Sequence, residues 1–136
     1  MSVITEIIRI EENNAISFGN YQSTTKLKVK DFEVNGDIYN VKTYNEMTRI
    51  EKNGKLLLET VPGAAIHNLK TNAKEITFEV EGSEDTQITL ELESDTEYKI
   101  FIDDFNTGKM KSKSSGKIAF SAELNDRSKF IKIESL

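Results

Sequence analysis

Between residues 76 and 122 the chain places apolar side chains at every second position in four separate runs: Ile76-Phe78-Val80, Ile88-Leu90-Leu92, Tyr98-Ile100-Ile102 and Ile118-Phe120-Ala122. Polar or charged residues sit between them, and turn-forming residues separate the runs. A β-strand sends alternate side chains to opposite faces, so each run predicts one strand with a buried and a wet side. Four such strands in succession predict an all-β chain, an antiparallel β-sandwich or meander that is Ig-like in its patterning over the C-terminal half. With 136 residues the length suits one domain, able to bury roughly two-thirds of its unfolded surface without staples.

The first half is less regular. Residues 3–10 hold five Ile or Val side chains, which prefer a pleated surface, so a strand is expected there. Ala15-Ile16-Ser17-Phe18 predicts a second short strand, ended by Gly19-Asn20. Asn35-Gly36 and Asn53-Gly54 then mark two hairpins, because Asn-Gly accepts the positive φ angles of a type I′ turn. Two-residue loops at these sites set Phe32 opposite Tyr39, Val34 opposite Asp37, and Ile50 opposite Leu57. Phe32, Val34, Tyr39 and Val41 then share one face of the first ribbon. Val61-Pro62-Gly63 is the clearest break, since proline cannot donate to a ladder and the glycine favours a turn. It offers a subdivision into 1–61 and 66–136, but each half would have a small core, so residues 1–136 are read as a single all-β domain.

Charge and composition exclude several classes. A formal charge of -5 argues against a general nucleic-acid binder, which needs a basic footprint. The absence of cysteine excludes disulfides and thiolate-bound zinc. The N-terminal segment lacks a basic n-region and a small-residue cleavage site, and no apolar run reaches the length of a bilayer span. The expectation is a cytoplasmic protein with no membrane insertion, with surface or spore association as the alternative.

Catalytic patterns are sparse. His67 is the sole histidine, and in Ala65-Ile66-His67-Asn68-Leu69 it reads as an ordinary strand or loop residue. Neither a nucleophile elbow nor a phosphate-binding glycine loop occurs. No catalytic residue is assigned. If the later strands alternate up and down, the turns 81–87, 103–107 and 123–128 emerge at one end and gather acidic side chains. Calcium takes six to eight oxygen ligands from such loops, and Asp103, Asp104 and Asp126 are the candidates. No other cofactor is expected.

Two lysine ladders, Lys26-Leu27-Lys28-Val29-Lys30 and Lys109-Met110-Lys111-Ser112-Lys113, each put three ammonium groups on one strand face. Lysine on an edge strand blocks unwanted pairing, and the same residues could dock an anionic partner or another subunit. Met110 and Ser112 are a meagre apolar set for a central strand, so Lys109–Lys113 is expected at an edge. Aromatic platforms for sugars are few: Tyr98 follows the core alternation, and Tyr44 lies on the face opposite Tyr39.

The segments Ile16-Ser17-Phe18-Gly19-Asn20-Tyr21, Lys30-Asp31-Phe32-Glu33-Val34-Asn35-Gly36-Asp37, Val41-Lys42-Thr43-Tyr44 and Glu59-Thr60-Val61-Pro62-Gly63 carry a further signal. With Asp95-Thr96-Glu97-Tyr98-Lys99 and Gly108-Lys109-Met110-Lys111 they resemble a family of small clostridial and related bacterial proteins that often carry the label endosialidase. The resemblance covers nearly the whole chain and implies a bacterial origin. Phage endosialidases are built on a propeller with a trimerising stalk, and sialidases resemble one another in an arginine cluster and a tyrosine nucleophile. This chain holds only Arg9, Arg49 and Arg127, in no such motif. No catalytic position carries over.

The expected function is therefore that of a non-catalytic β-sandwich acting through self-association or in a surface or spore-type assembly. A homo-oligomer is expected, with Lys109, Lys111 and Lys113 at the contact and Asp103, Asp104 and Asp126 as the complementary end. The alternative is a glycan-directed module or reduced glycosidase acting on anionic glycans.

Overall fold

The computed structural model describes residues 3–136. The chain runs β1 (Ile8–Ile10), a single 3-10 turn (Glu12–Asn14), β2 (Ile16–Phe18), β3 (Leu27–Val34), β4 (Asp37–Tyr44), β5 (Met47–Lys52) and β6 (Lys55–Val61). It continues through β7 (Ala65–Thr71), β8 (Glu75–Gly82), β9 (Thr86–Glu91), β10 (Glu97–Ile102), β11 (Phe105–Lys111), β12 (Lys117–Ala122) and β13 (Arg127–Ser135). Two antiparallel sheets pack face to face as an all-β sandwich. A seven-stranded sheet has the order β1-β2-β7-β8-β13-β10-β11, and a six-stranded sheet the order β12-β9-β6-β5-β4-β3.

The two sheets are built by different routes. β3 to β6 form a true meander, joined by the tight turns at Asn35-Gly36 and Asn53-Gly54, where Asn35 and Asn53 take positive φ. The strictly alternating strands of the second half do not follow one another in a single sheet. β8, β10, β11 and β13 belong to the seven-stranded sheet, while β9 and β12 cross to the other. Alternation demands one buried face and is satisfied equally in either layer. Pairing of β2 with β7 and of β6 with β9 draws strands from both sides of Pro62 into both sheets.

The inner faces meet in one core that includes Phe18, Ile66, Phe78, Val80, Ile100, Ile131 and Ile133 from the first sheet and Val41, Ile50, Leu58, Ile88 and Leu90 from the second. The register of the first hairpin follows the sequence reading, with Phe32 opposite Tyr39 and Val34 opposite Asp37. The second hairpin departs from it by one residue. A bulge between Ile50 and Glu51 sets Ile50 against Leu58 rather than Leu57. The shift puts two fully buried side chains together, Ile50 and Leu58, so core packing overrides the register that the two-residue turn alone would impose.

The N-terminal segment is the other correction. Only residues 8–10 are extended; residues 3–7 form a turn closed by Ile4 N–H to Gly19 O (2.9 Å), Ile7 N–H to Ile4 O (2.9 Å) and Gly19 N–H to Ile7 O (3.0 Å). Ile7 sits at φ 75°, a costly conformation for a β-branched residue. These three hydrogen bonds and the complete burial of Ile4 outweigh the strand propensity of the isoleucines.

Candidate functional site

The lysine ladders both fall on sheet edges: β11 ends the seven-stranded sheet and β3 ends the six-stranded one. At the β11 side the sandwich is open. A cleft of about 250 Å³ lies between β11 and β12, lined by Ile100, Ile102, Met110 and Phe120 with Thr107, Gly108, Lys109 and Ser121. Its apolar lining arises because both neighbouring strands are terminal, so their inward side chains have no further strand to cover them. At the tip of the β10–β11 hairpin, Asp103 and Asp104 take φ 49° and 68°, as a tight turn requires. The next residue, Phe105, leaves 77% of its surface in solvent. Lys109 and Lys111 are exposed on the same strand, and Lys113 follows just beyond it.

The backbone of this edge is not prepared for another strand. Gly108 has φ 123° and the ladder to β10 shifts between Ile100 and Phe101. Bulges of this kind, together with lysines, blunt an edge. β3 shows the same device, with a bulge between Val29 and Phe32 and Asp31 at φ 57°.

On the outer face of the six-stranded sheet, strand register lines up Lys28, Lys42, Arg49 and Glu59, each directly opposite the next. Arg49 donates to Glu59 Oε2 at 2.6 Å and to Glu51 Oε2 at 3.3 Å. Burial opposes its charge, but the bonds to these two carboxylates prevail and hold the guanidinium above its usual value. Lys28, Lys30 and Lys42 enter no ion pair among the described residues. The β3 bulge opens a groove of about 450 Å³ beside them, which Asp31, Asn40 and Glu51 also line. Lys26 precedes β3, and its ammonium sits 5.7 Å from the ring centre of the half-buried Tyr44.

The acidic turns do emerge at one end, since Arg127 pairs with Gly82 and Ile102 with Ile131. Asp103 is already engaged there: its Oδ1 accepts from Phe130 N–H at 2.8 Å and its Oδ2 lies 3.6 Å from Lys129 Nζ. The backbone N–H of Asp126 donates to Gly82 O at 2.9 Å. Among the described residues, no group of three or more His, Asp or Glu converges as a metal ion would need. Asp103, Asp104 and Asp126 therefore share an end of the sandwich without forming a cage.

Sequence reasoning missed a buried polar cluster on the outer face of the seven-stranded sheet. His67 on β7 and Glu81 on β8 are 6% and 7% exposed, with Nε2 and Oε1 3.5 Å apart. Neither of these two atoms has a hydrogen-bond partner among the described residues. Nearby, Ser17 Oγ donates to Glu11 Oε2 at 2.6 Å and accepts from Asn68 N–H at 3.0 Å, so it anchors the bulge in β7. The Ser17 hydroxyl pulls the Glu11 carboxyl below its usual range; burial acts against this, and the charges of Arg9 and His67 add to it. Burial first, then the carboxylates of Glu81 and Asp126, pushes the Tyr21 hydroxyl up. No local signal marks His67, because its partner arrives through the pairing of β7 with β8 rather than through sequence neighbours.

Compared with protein families, with curated proteins and with solved structures, the chain gives no match. No helix among the described residues is long and apolar enough to cross a membrane.

Proposed function

We propose that the protein is a non-catalytic β-sandwich that acts by associating with further copies of itself through the β10–β11 hairpin. The observation that carries this reading is an orphan aromatic beside an open apolar cleft. Phe105 is the most exposed large hydrophobic side chain among the described residues, and the neighbouring cleft between β11 and β12 ends on Ile100, Ile102, Met110 and Phe120. At about 250 Å³ the cleft falls below the roughly 300–1,000 Å³ typical of small-molecule sites. It suits one inserted side chain.

Charge supports the same arrangement. The hairpin is acidic at its tip (Asp103, Asp104) and basic along its stem (Lys109, Lys111). Two hairpins meeting antiparallel would lay each tip over the other's stem while each Phe105 enters the partner cleft. Such a contact is reciprocal and closes as a two-fold dimer. Side-chain insertion also accommodates the blunted backbone of β11, which strand addition would not.

Sedimentation velocity over a range of protein and salt concentrations tests this. A concentration-dependent dimer is expected, weakened by added salt. Phe105→Ser should return it to monomer without loss of stability, because the side chain is exposed. Asp104→Lys should weaken the dimer and Lys109→Asp in the same chain should restore it. A monomer under every condition, or a dimer indifferent to Phe105→Ser, rejects the reading.

A further inference from the structure

The outer face of the six-stranded sheet carries a second feature, at the lateral edge farthest from β12. Lys28 and Lys42 stand directly opposite each other on β3 and β4. Cross-strand Cβ atoms in such a pair are about 4.5–5.5 Å apart, and like charges there are destabilising. Lys42 faces a third cation, Arg49, on β5, and a stabilising opposite-charge pair appears only beyond it, where Arg49 meets Glu59 on β6. Here the carboxylates are spent elsewhere: Glu51 and Glu59 both bind Arg49. Two ammonium groups, with Lys30 beside them, are left uncompensated at the mouth of a groove in a protein whose net charge is -5.

The rest of the lining is polar in a specific way. Asn40 Oδ1 accepts the N–H of Asp31 at 2.9 Å, which turns the Asn40 amide so that its NH₂ group remains a donor with no protein acceptor among the described residues. The Asp31 carboxylate makes no side-chain hydrogen bond or ion pair among them and is exposed. It is held in the groove by the bulge that gives Asp31 its φ of 57°.

We propose that this groove binds a phosphate monoester carried on a small hydroxylated molecule, with the phosphate between Lys28 and Lys42. Two monocations on directly opposed residues of one groove are best matched by a single group of nearly two negative charges, which a phosphate monoester carries near neutral pH. A lone carboxylate would leave one ammonium unmatched. Lysine presents point charges rather than a planar fork, and so grips phosphate without demanding bidentate geometry. Asp31 then has a task that bare phosphate would not give it: accepting hydroxyl protons from the carrier, while the Asn40 amide donates to a carrier oxygen. The same carboxylate repels the successive phosphates of a nucleic acid. The groove volume, about 450 Å³, lies within the range of small-molecule sites.

The test uses the full chain titrated with glucose 6-phosphate, followed by calorimetry and by amide chemical shifts. Saturable binding is expected, with shifts confined to residues 28–31 and 40–42. Glucose should not bind, and inorganic phosphate should bind at least several-fold more weakly. Lys28→Gln or Lys42→Gln should each weaken binding about tenfold, the loss expected for one charge-assisted hydrogen bond. Asp31→Asn should weaken glucose 6-phosphate but not inorganic phosphate. Lys117→Gln, on the opposite edge of the sheet, should change nothing. The proposal is overturned by absence of binding at tens of millimolar, by inorganic phosphate binding as well as the ester, by equal or tighter binding of an unphosphorylated acidic oligosaccharide, or by affinity unchanged in Lys42→Gln.

Discussion

His67 and Glu81 confront each other at 3.5 Å across β7 and β8, on the outer face of a sheet, yet both are almost wholly removed from water. Glu79 stands directly across the strand from His67. The lone imidazole is thus set among carboxylates, in a place where a sandwich of this kind would ordinarily present solvated side chains.

Removing one member of that pair should cost more than removing both. His67→Leu leaves a buried carboxylate without its partner, a loss of about 3–5 kcal/mol. His67→Leu combined with Glu81→Leu should recover most of it, because no buried polar group is then left without its partner. Urea unfolding of the two single variants and the double variant measures the coupling, and strictly additive costs would show that the two groups do not interact.

Ser17 should matter beyond its size. Ser17→Ala removes both the bond to Glu11 and the anchor for Asn68 N–H, at about 1–3 kcal/mol near neutral pH. The Glu11 part depends on pH. Its folded carboxyl titrates below the usual value, so its contribution is full above the unfolded value of about 4.3 and fades as pH falls through the lower folded value. The gap between wild type and Ser17→Ala should therefore narrow under acid. Denaturation midpoints at pH 7 and near pH 3 show whether it does.

Two glycines should differ sharply in their tolerance of a side chain. A Cβ at Gly63 would collide with the carbonyl oxygen of Tyr44, whereas one at Gly36 meets only open space. Gly63→Ala should cost about 3 kcal/mol or more, since a backbone atom cannot swing aside as a side chain can. Gly36→Ala should cost about 1–2 kcal/mol, from its φ of 89° alone. Comparable losses would contradict the close approach at Gly63.

The bulge in the second hairpin makes its own claim. Leu58→Ala should lose about 2–5 kcal/mol, as expected for a sealed core position. Leu57→Ala, half-buried at the core's margin, should lose less than half as much. The reverse order would restore the unbulged pairing of Ile50 with Leu57.

Much of the architecture was legible because local chemistry specified it. Asn35-Gly36 and Asn53-Gly54 named their turns, the alternating runs named their strands, and the lysines of 26–30 and 109–113 named one edge of each sheet. What could not be read depends on partners distant along the chain. Which sheet β9 or β12 would join is invisible to a period of two. The one-residue shift at Ile50 is set by the fit of Leu58 in the core, and the turn at Ile4–Ile7 by a carbonyl and an amide of Gly19. The same holds for the sites. The lysines of β3 were visible, but the row they share with Lys42 appears only when β3 and β4 are paired, and Glu81 reads as a turn residue until β8 brings it beside His67.

β13 lies in the interior of its sheet, bonded to β8 on one side and to β10 on the other, although it is the last strand of this sequence. A ribosome delivering the chain from its N-terminus would therefore release β8 and β10 well before the segment that joins them. Until residues 127–135 emerge, each of those strands offers an open backbone edge beside hydrophobic side chains meant for the core. The nascent protein would pass through a window of vulnerability to mispairing, which a chaperone able to hold exposed strands would shorten. A chain arrested before residue 127 would be expected to aggregate rather than wait as a stable half-sandwich.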